Sequence, residues 1–316
     1  MNKKRKGWVI PVSVCVSSVS VVLIIAAIFS SMGNISLNKK EEVPVKTEVV
    51  EQTESTVQKT GNSKIIVLDP GHGVSSFSMS ESEKEADGWI YNSSKGGWGE
   101  WRHWKSGTFG QDCNGSGCTG RAPSGGGCWY PMVNGDRSTE PDINLNNALA
   151  AKKYLEQMGY TVRMARGASD NPSMTKRLQY CYPDGDMTKA PDADAYICIH
   201  SNAGGGKGSC YISLSGLYDQ AGIASDYIEQ GNALGKAIND RIVSDTSLSS
   251  AGSGGRYDGY PTLVLFCKSQ ITIAYMEIGF FDNAGDLSIL QNESDAIGKA
   301  IANGINDYYN SLKEIM

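Results

Sequence analysis

From residue 64 to the C-terminus, short apolar runs alternate with stretches of helical periodicity. The runs are "KIIVLDP" from Lys64, "YTVRMAR" from Tyr160, "ADAYICIHS" from Ala193, "GSCYISLS" from Gly208 and "ITIAYMEIGF" from Ile271. They read as strands, short and almost without polar interruption. Between and after them come "INLNNALAAKKYLEQMG", the short "MTKRLQYC", "SDYIEQGNALGKAINDRIV" and a last stretch at about 293–313. These read as helices: Leu145, Leu149, Leu155 and Met158 mark the first, with Gly159 as its C-terminal stop. Ile228, Leu234, Ile238 and Ile242 mark the third, and Ile297, Ile301, Ile305, Tyr308 and Leu312 the last. Strands in continuous apolar runs are covered on both sides. The alternation therefore predicts an α/β domain built on a mostly parallel open sheet with helices on both faces.

In such folds ligands bind beyond the carboxyl ends of the strands. The first run breaks there into Asp-Pro-Gly-His-Gly, and His72 is one of only three histidines in the chain. Its glycine neighbours let the backbone turn away while the imidazole stays in the crevice. His200 closes "ADAYICIHS" in the same way. Glu140 opens a helix in "STEPDIN", with Pro141 suited to its first turn. Glu277 interrupts the apolar strand "AYMEIGF". Two histidines and a carboxylate with one position open to water form a recurring catalytic zinc set, and a second carboxylate can serve as base to that water. Each residue alone has an ordinary reading. A histidine at a strand end is commonly a hydrogen bonder, and a glutamate opening a helix suits the macrodipole. Glu277 is harder to dismiss, because an unpartnered carboxylate in an apolar strand costs several kcal/mol.

Residues 74–138 break the alternation. They are rich in Gly, Ser and Trp, show little periodicity, and hold every tryptophan except Trp8. Structureless loops of this length are unusual inside a compact domain. The segment reads as an inserted Trp/Cys/Gly-rich lobe packed on its own tryptophans. Trp98, Trp101 and Trp104 form either a satellite core or a surface that stacks on sugar or peptide.

The N-terminal part has a different character. Residues 1–7 hold four cations and no anion, and residues 8–32 carry no charge. A stretch of that length can span a bilayer, and the cations on its N-terminal side place that end in the cytoplasm. A cleaved signal peptide is the rival reading, but the apolar core is long and "FSSMG" is a poor cleavage site. Residues 33–62 are polar and of mixed charge. They read as a flexible linker reaching roughly 30 Å as a coil. The expected arrangement is a single-pass anchor with an extracytoplasmic domain over 63–316. The net charge is −5, with no cationic cluster after residue 7. That argues against nucleic acid as the main partner. Seven cysteines follow the span: Cys113, Cys118, Cys128, Cys181, Cys198, Cys210 and Cys267. An exported location permits disulfides, and an odd number leaves at least one thiol free or bridged to another chain. Cys198, inside an apolar strand, reads as a buried thiol and not as a nucleophile.

Taken in order, "IVLDPGHG", "EPDINLNNALAAKKYLEQMGYTVRMAR", "MTKRLQY", "ADAYICIHSNAG" and "AYMEIGFFDNAGDLSIL" resemble the zinc-dependent N-acetylmuramoyl-L-alanine amidases of the cell-wall amidase-3 family. The resemblance runs from Ile65 to about Tyr309. It implies that His72, Glu140 and His200 bind Zn2+. It implies that Glu277 is general base to the metal water and then helps protonate the departing amine. It also implies that the substrate is peptidoglycan, cut between the lactyl group of N-acetylmuramic acid and L-alanine. Asn202 is implied to help shape the site. The long connection from His72 to Glu140 departs from the family pattern and places the lobe beside the site. Two other readings stay open: a wall-binding protein on an amidase scaffold, and a zinc peptidase cutting within the stem peptide.

Overall fold

The computed structural model describes residues 63–103, 108–109, 129–132, 139–215, 225–256 and 271–315. The expected basic tail, membrane span and linker, with Trp104, Cys113, Cys118, Cys128 and Cys267, lie outside the described residues. Among the described residues no helix is long and apolar enough to cross a membrane.

Strand β1 (Ile65–Pro70) is the "IIVLDP" run, buried from Ile66 onward. Its parallel neighbours are β6 (Thr161–Met164) and β7 (Ala195–Asn202). On the far side of β7 lies β10 (Thr272–Phe280), also parallel. Side chains alternate across a strand, and here the alternation sorts two cores. Ile66, Leu68, Ile197, Ile199, Ala274, Met276 and Ile278 face one way. Val67, Tyr196, Cys198, Ile273 and Tyr275 face the other. Both faces are apolar, which is why these strands read as unbroken runs. Beyond β10, β8 (Ser209–Ser213) runs antiparallel to it and β9 (Ser250–Arg256) runs parallel to β8. The full order is β6-β1-β7-β10-β8-β9.

The first face is covered by α2 (Glu140–Gln157), α4 (Ser225–Asp245) and α6 (Ser294–Ile315). The second is covered by the short α3 (Met174–Gln179), through Leu178, and by tyrosines of the segment after it. Glycines let the helices approach closely. A Cβ on Gly298 of α6 would lie 2.3 Å from Ala150 of α2, and one on Gly304 would lie 2.4 Å from the Ile238 backbone. This close contact corrects two expectations. The buried stripe of α2 is Leu145, Ala148, Ala151 and Leu155, while Leu149 is 47% exposed; Leu312 near the end of α6 is 40% exposed. On α2 the small residues make the contact, so Leu149 beside them turns to solvent. Gly159 ends α2 as expected, with φ 91° and its N–H on the Glu156 carbonyl. Helix α5 (Ala284–Asn292) and strand β9 were not legible in the sequence.

The insert contains more regular structure than its composition suggests. Helix α1 (Glu81–Ala86) starts with a reciprocal Ser80–Glu83 capping box. Strand β3 (Gly97–His103) then pairs antiparallel with β2 (Ile90–Asn92), β4 (Thr108–Phe109) and β5 (Trp129–Pro131). Trp101 and Trp129 are buried against one another, edge to face at 5.0 Å. Gly99 makes room for them, since a Cβ there would sit 2.5 Å from the Trp129 ring. Cys181, Cys198 and Cys210 are buried.

Candidate active site

Three strand ends and one helix start meet above β1, β7 and β10. His72 lies two residues beyond β1 with φ 61°, a conformation most side chains avoid. Gly71 before it is boxed in, because a Cβ there would lie 2.3 Å from the His200 ring. His200 comes from β7 and stacks on Tyr275 of β10, with ring centroids 5.0 Å apart and 12° between planes. Glu140 heads α2 and reaches between the two rings. Its Oε2 is 3.1 Å from His72 Nε2 and its Oε1 is 3.3 Å from His200 Nδ1. Each of these three residues offers one ligand atom within 4.8 Å of the others.

The carboxylate is itself held. Its Oε1 accepts the Asn144 side-chain amide at 3.1 Å and the Ser201 backbone N–H at 3.1 Å. Ser201 Oγ donates in turn to Asn144 Oδ1 at 2.9 Å. Burial alone would raise the Glu140 pKa. The hydrogen bonds and charge of His200 and His72 outweigh it and hold the carboxyl well below its usual range. Burial lowers the His200 pKa against the pull of Glu140, which favours the neutral imidazole that metal ligation needs.

Glu277 stands apart from this trio. It is the register partner of His200 in β7 and of Cys210 in β8. It is 5% exposed, and its Oε2 has no hydrogen-bond partner among the described residues. Burial first, and the Glu140 charge second, push its pKa up to about 8. A buried polar oxygen left open, beside a ligand set of two imidazoles and a carboxylate, fits a site built to receive a divalent cation and a water.

Residues 66–307 match the family described as N-acetylmuramoyl-L-alanine amidase, Amidase_3. The chain belongs to that family. It is therefore an enzyme, a hydrolase of peptidoglycan amide bonds. Similar solved structures include Cwp6 from Clostridium difficile, at 20% identity and TM-score 0.48 over 78% of this chain and 29% of that longer one. The amidase AmiC2 of Nostoc punctiforme is similar at 18% identity and TM-score 0.46, over 78% of this chain and 97% of that one. The apo form of the amidase Ami1 from Mycobacterium abscessus shares 23% identity at TM-score 0.47, over 78% and 98%. No curated protein matches this chain significantly.

The structure of this amidase thus brings His72, Glu140 and His200 into one cluster, with Glu277 on the neighbouring strand. Asn202 follows Ser201 at the end of β7, and its Oδ1 accepts the N–H of Ala203 at 2.8 Å. The adjacent Ser201, together with Asn144, orients the Glu140 carboxylate. Two arginines were also missed. Arg177 of α3 forms a buried ion pair with Asp69 and donates to the carbonyls of Pro70 and His72. Arg166, just past β6, donates to Pro70 at 2.8 Å, to Gly71 at 3.0 Å and to Pro141 at 2.6 Å. It ties the His72 turn to the start of α2, and hence to Glu140. One sequence signal was available, since Asp69 is an acid inside a buried strand and has to find a cation.

Proposed function

We propose that this amidase is zinc-dependent and cuts the bond between N-acetylmuramic acid and L-alanine in peptidoglycan. The observation that carries the reading is the convergence of His72, Glu140 and His200 on one point, with Glu277 Oε2 beside them left without a hydrogen-bond partner among the described residues. His72, Glu140 and His200 would hold the ion. Once bound, the ion supplies Lewis acidity to the scissile carbonyl and acidifies a water. The chain's own residues handle the protons. Glu277, as carboxylate, takes a proton from the attacking water as the new C–O bond forms. It then returns that proton to the nitrogen as the C–N bond breaks, leaving a carboxylic acid and a free amine. The nearby cation would offset the burial cost that raises the Glu277 pKa, returning the residue to its ionised, basic form. Asn144 and Ser201 keep Glu140 turned toward the two imidazoles, and Tyr275 fixes the plane of His200.

Chelator-treated full-length protein tests the metal. It should take up one zinc per chain and regain activity, while His72→Ala and His200→Ala should each lose uptake. Uptake by wild type at neither site-directed stoichiometry nor measurable affinity would count against the reading.

The same proposal includes location. Residues 8–32 anchor the chain, residues 33–62 tether it, and the catalytic part from residue 63 faces the wall. The uncharged stretch and the four cations before it support this. Deleting residues 1–32 should move activity from the membrane fraction to the soluble fraction; activity staying with the membrane would refute the anchor.

A further inference from the structure

The lobe between His72 and Glu140 carries a buried carboxylate that the hydrolytic chemistry does not use. Glu100 lies mid-way along β3 and is 1% exposed. One of its oxygens accepts Arg102 Nε at 2.6 Å, and Arg102 lies over the Tyr130 ring at 4.4 Å. The acid is thereby fixed to the lobe's own sheet. Its other donors come from outside the lobe. The N–H of Met174 reaches Oε1 at 3.1 Å, and the N–H and hydroxyl of Thr175 reach Oε2 at 3.0 and 2.8 Å. These are the first residues of α3.

Two residues further along α3 is Arg177, which holds the carbonyl of His72 and the carboxylate of Asp69. His72 sits at positive φ, which persists only where the surroundings enforce it. Other lobe contacts grip the segment before α3. Asp87 accepts the N–H of Asn171 at 2.7 Å, and its carbonyl accepts the N–H of Ser173 at 2.9 Å. The Trp89 indole donates to the Asn171 carbonyl at 2.6 Å. We infer that Glu100 is a positioning residue: through it the lobe seats the first turn of α3, so that Arg177 holds the His72 turn in its ligating conformation. The lobe is then a working part of the metal site. This rests on the reading that His72 binds a metal.

The test uses the full chain, with zinc affinity measured by chelator competition and the visible spectrum of the Co2+ form as a report on ligand geometry. Loss of a group that orients a metal-binding side chain typically costs about 10–100-fold in metal affinity, and Glu100 acts on His72 through Arg177. Glu100→Gln should therefore raise the zinc Kd at least about tenfold and shift the Co2+ bands. Glu100→Asp should recover part of the loss. Thr175→Val removes only the hydroxyl donor and should raise Kd in the same direction, which keeps the test open if Glu100→Gln folds poorly. Ile242→Val, in the α4 core, should lower Tm with Kd unchanged. A Glu100→Gln or Thr175→Val protein with lowered Tm but wild-type Kd and spectrum would overturn the inference and leave Glu100 as support for the lobe alone. Failure of the metal reading looks different, because wild type would then bind no zinc, or His72→Ala would bind as wild type does.

Discussion

Glu277 and Asp69 are both buried acids at strand ends, and they are handled in opposite ways. Asp69 is neutralised by Arg177, whereas Glu277 keeps an open oxygen. Glu277→Gln preserves shape and removes the base. It should keep zinc content at wild-type level and lower kcat by about 10²–10⁴-fold, measured with metal analysis on the same sample. Near-normal turnover would rule out Glu277 as the base. Arg177→Met should act on the fold, because it strands a buried carboxylate. A loss of about 3–5 kcal/mol is expected in urea unfolding. These contrasts also mark what a sequence reveals at this scale. His72 and His200 were legible as scarce imidazoles at strand ends, Glu277 as an acid inside an apolar strand, and Glu140 as an acid opening a helix beside Pro141. Arg166, Arg177 and Ser201 were not. Their roles depend on which carbonyl or carboxylate the tertiary register brings opposite them, and arginines and serines are common everywhere.

The strands of the parallel core were legible because burial on both faces leaves unbroken apolar runs, as in "AYICI". The elements of the lobe were not. Strand β3 reads "GWGEWRH", and its pairing depends on backbone contacts and on Gly99 admitting Trp129. Leu149 was misassigned because the α2–α6 contact uses alanine and glycine, which carry no apolar signal of their own. Gly304→Ala probes the α4–α6 contact, which relies on a glycine in the same way. The added Cβ would meet the Ile238 backbone at 2.4 Å, so overpacking of about 1–3 kcal/mol should outweigh the helix-propensity gain of about 1 kcal/mol. Thermal melts should show a lower Tm. At the sheet edge, Arg163 of β6 forms a two-pronged pair with Asp192, at 2.6 and 2.7 Å. Its hydrogen bonds, outweighing modest desolvation, depress the Asp192 pKa. The pair therefore adds stability above the unfolded aspartate value, near pH 3.9. That stability is lost as pH falls through the lower folded value. The contribution is small, at most about 1 kcal/mol for a partly exposed pair. Arg163→Met should lower the urea midpoint at pH 6, and the difference from wild type should narrow as the pH falls from about 3.9 through the lower folded Asp192 value, leaving the part due to the Arg163 bond to the Tyr180 carbonyl.

For the molecule as a whole, the sheet supplies a rigid rim and the site is assembled from parts far apart in sequence. Glu140 and His200 are positioned from opposite sides of the sheet's end, one by a helix of the first face and one by a strand. The lobe joins this assembly through Glu100 and Asp87, so the insertion between two proposed ligands is tied back to the turn that carries the first. The most direct measurement of which bond this assembly cuts is mass spectrometry of the products released from purified peptidoglycan by the full-length protein, with zinc and with chelator. Zinc-dependent release of intact stem peptides with a free L-alanine amine is expected, leaving glycan strands with unsubstituted lactyl carboxylates. Fragments cut within the stem peptide, or identical release in chelator, would contradict it.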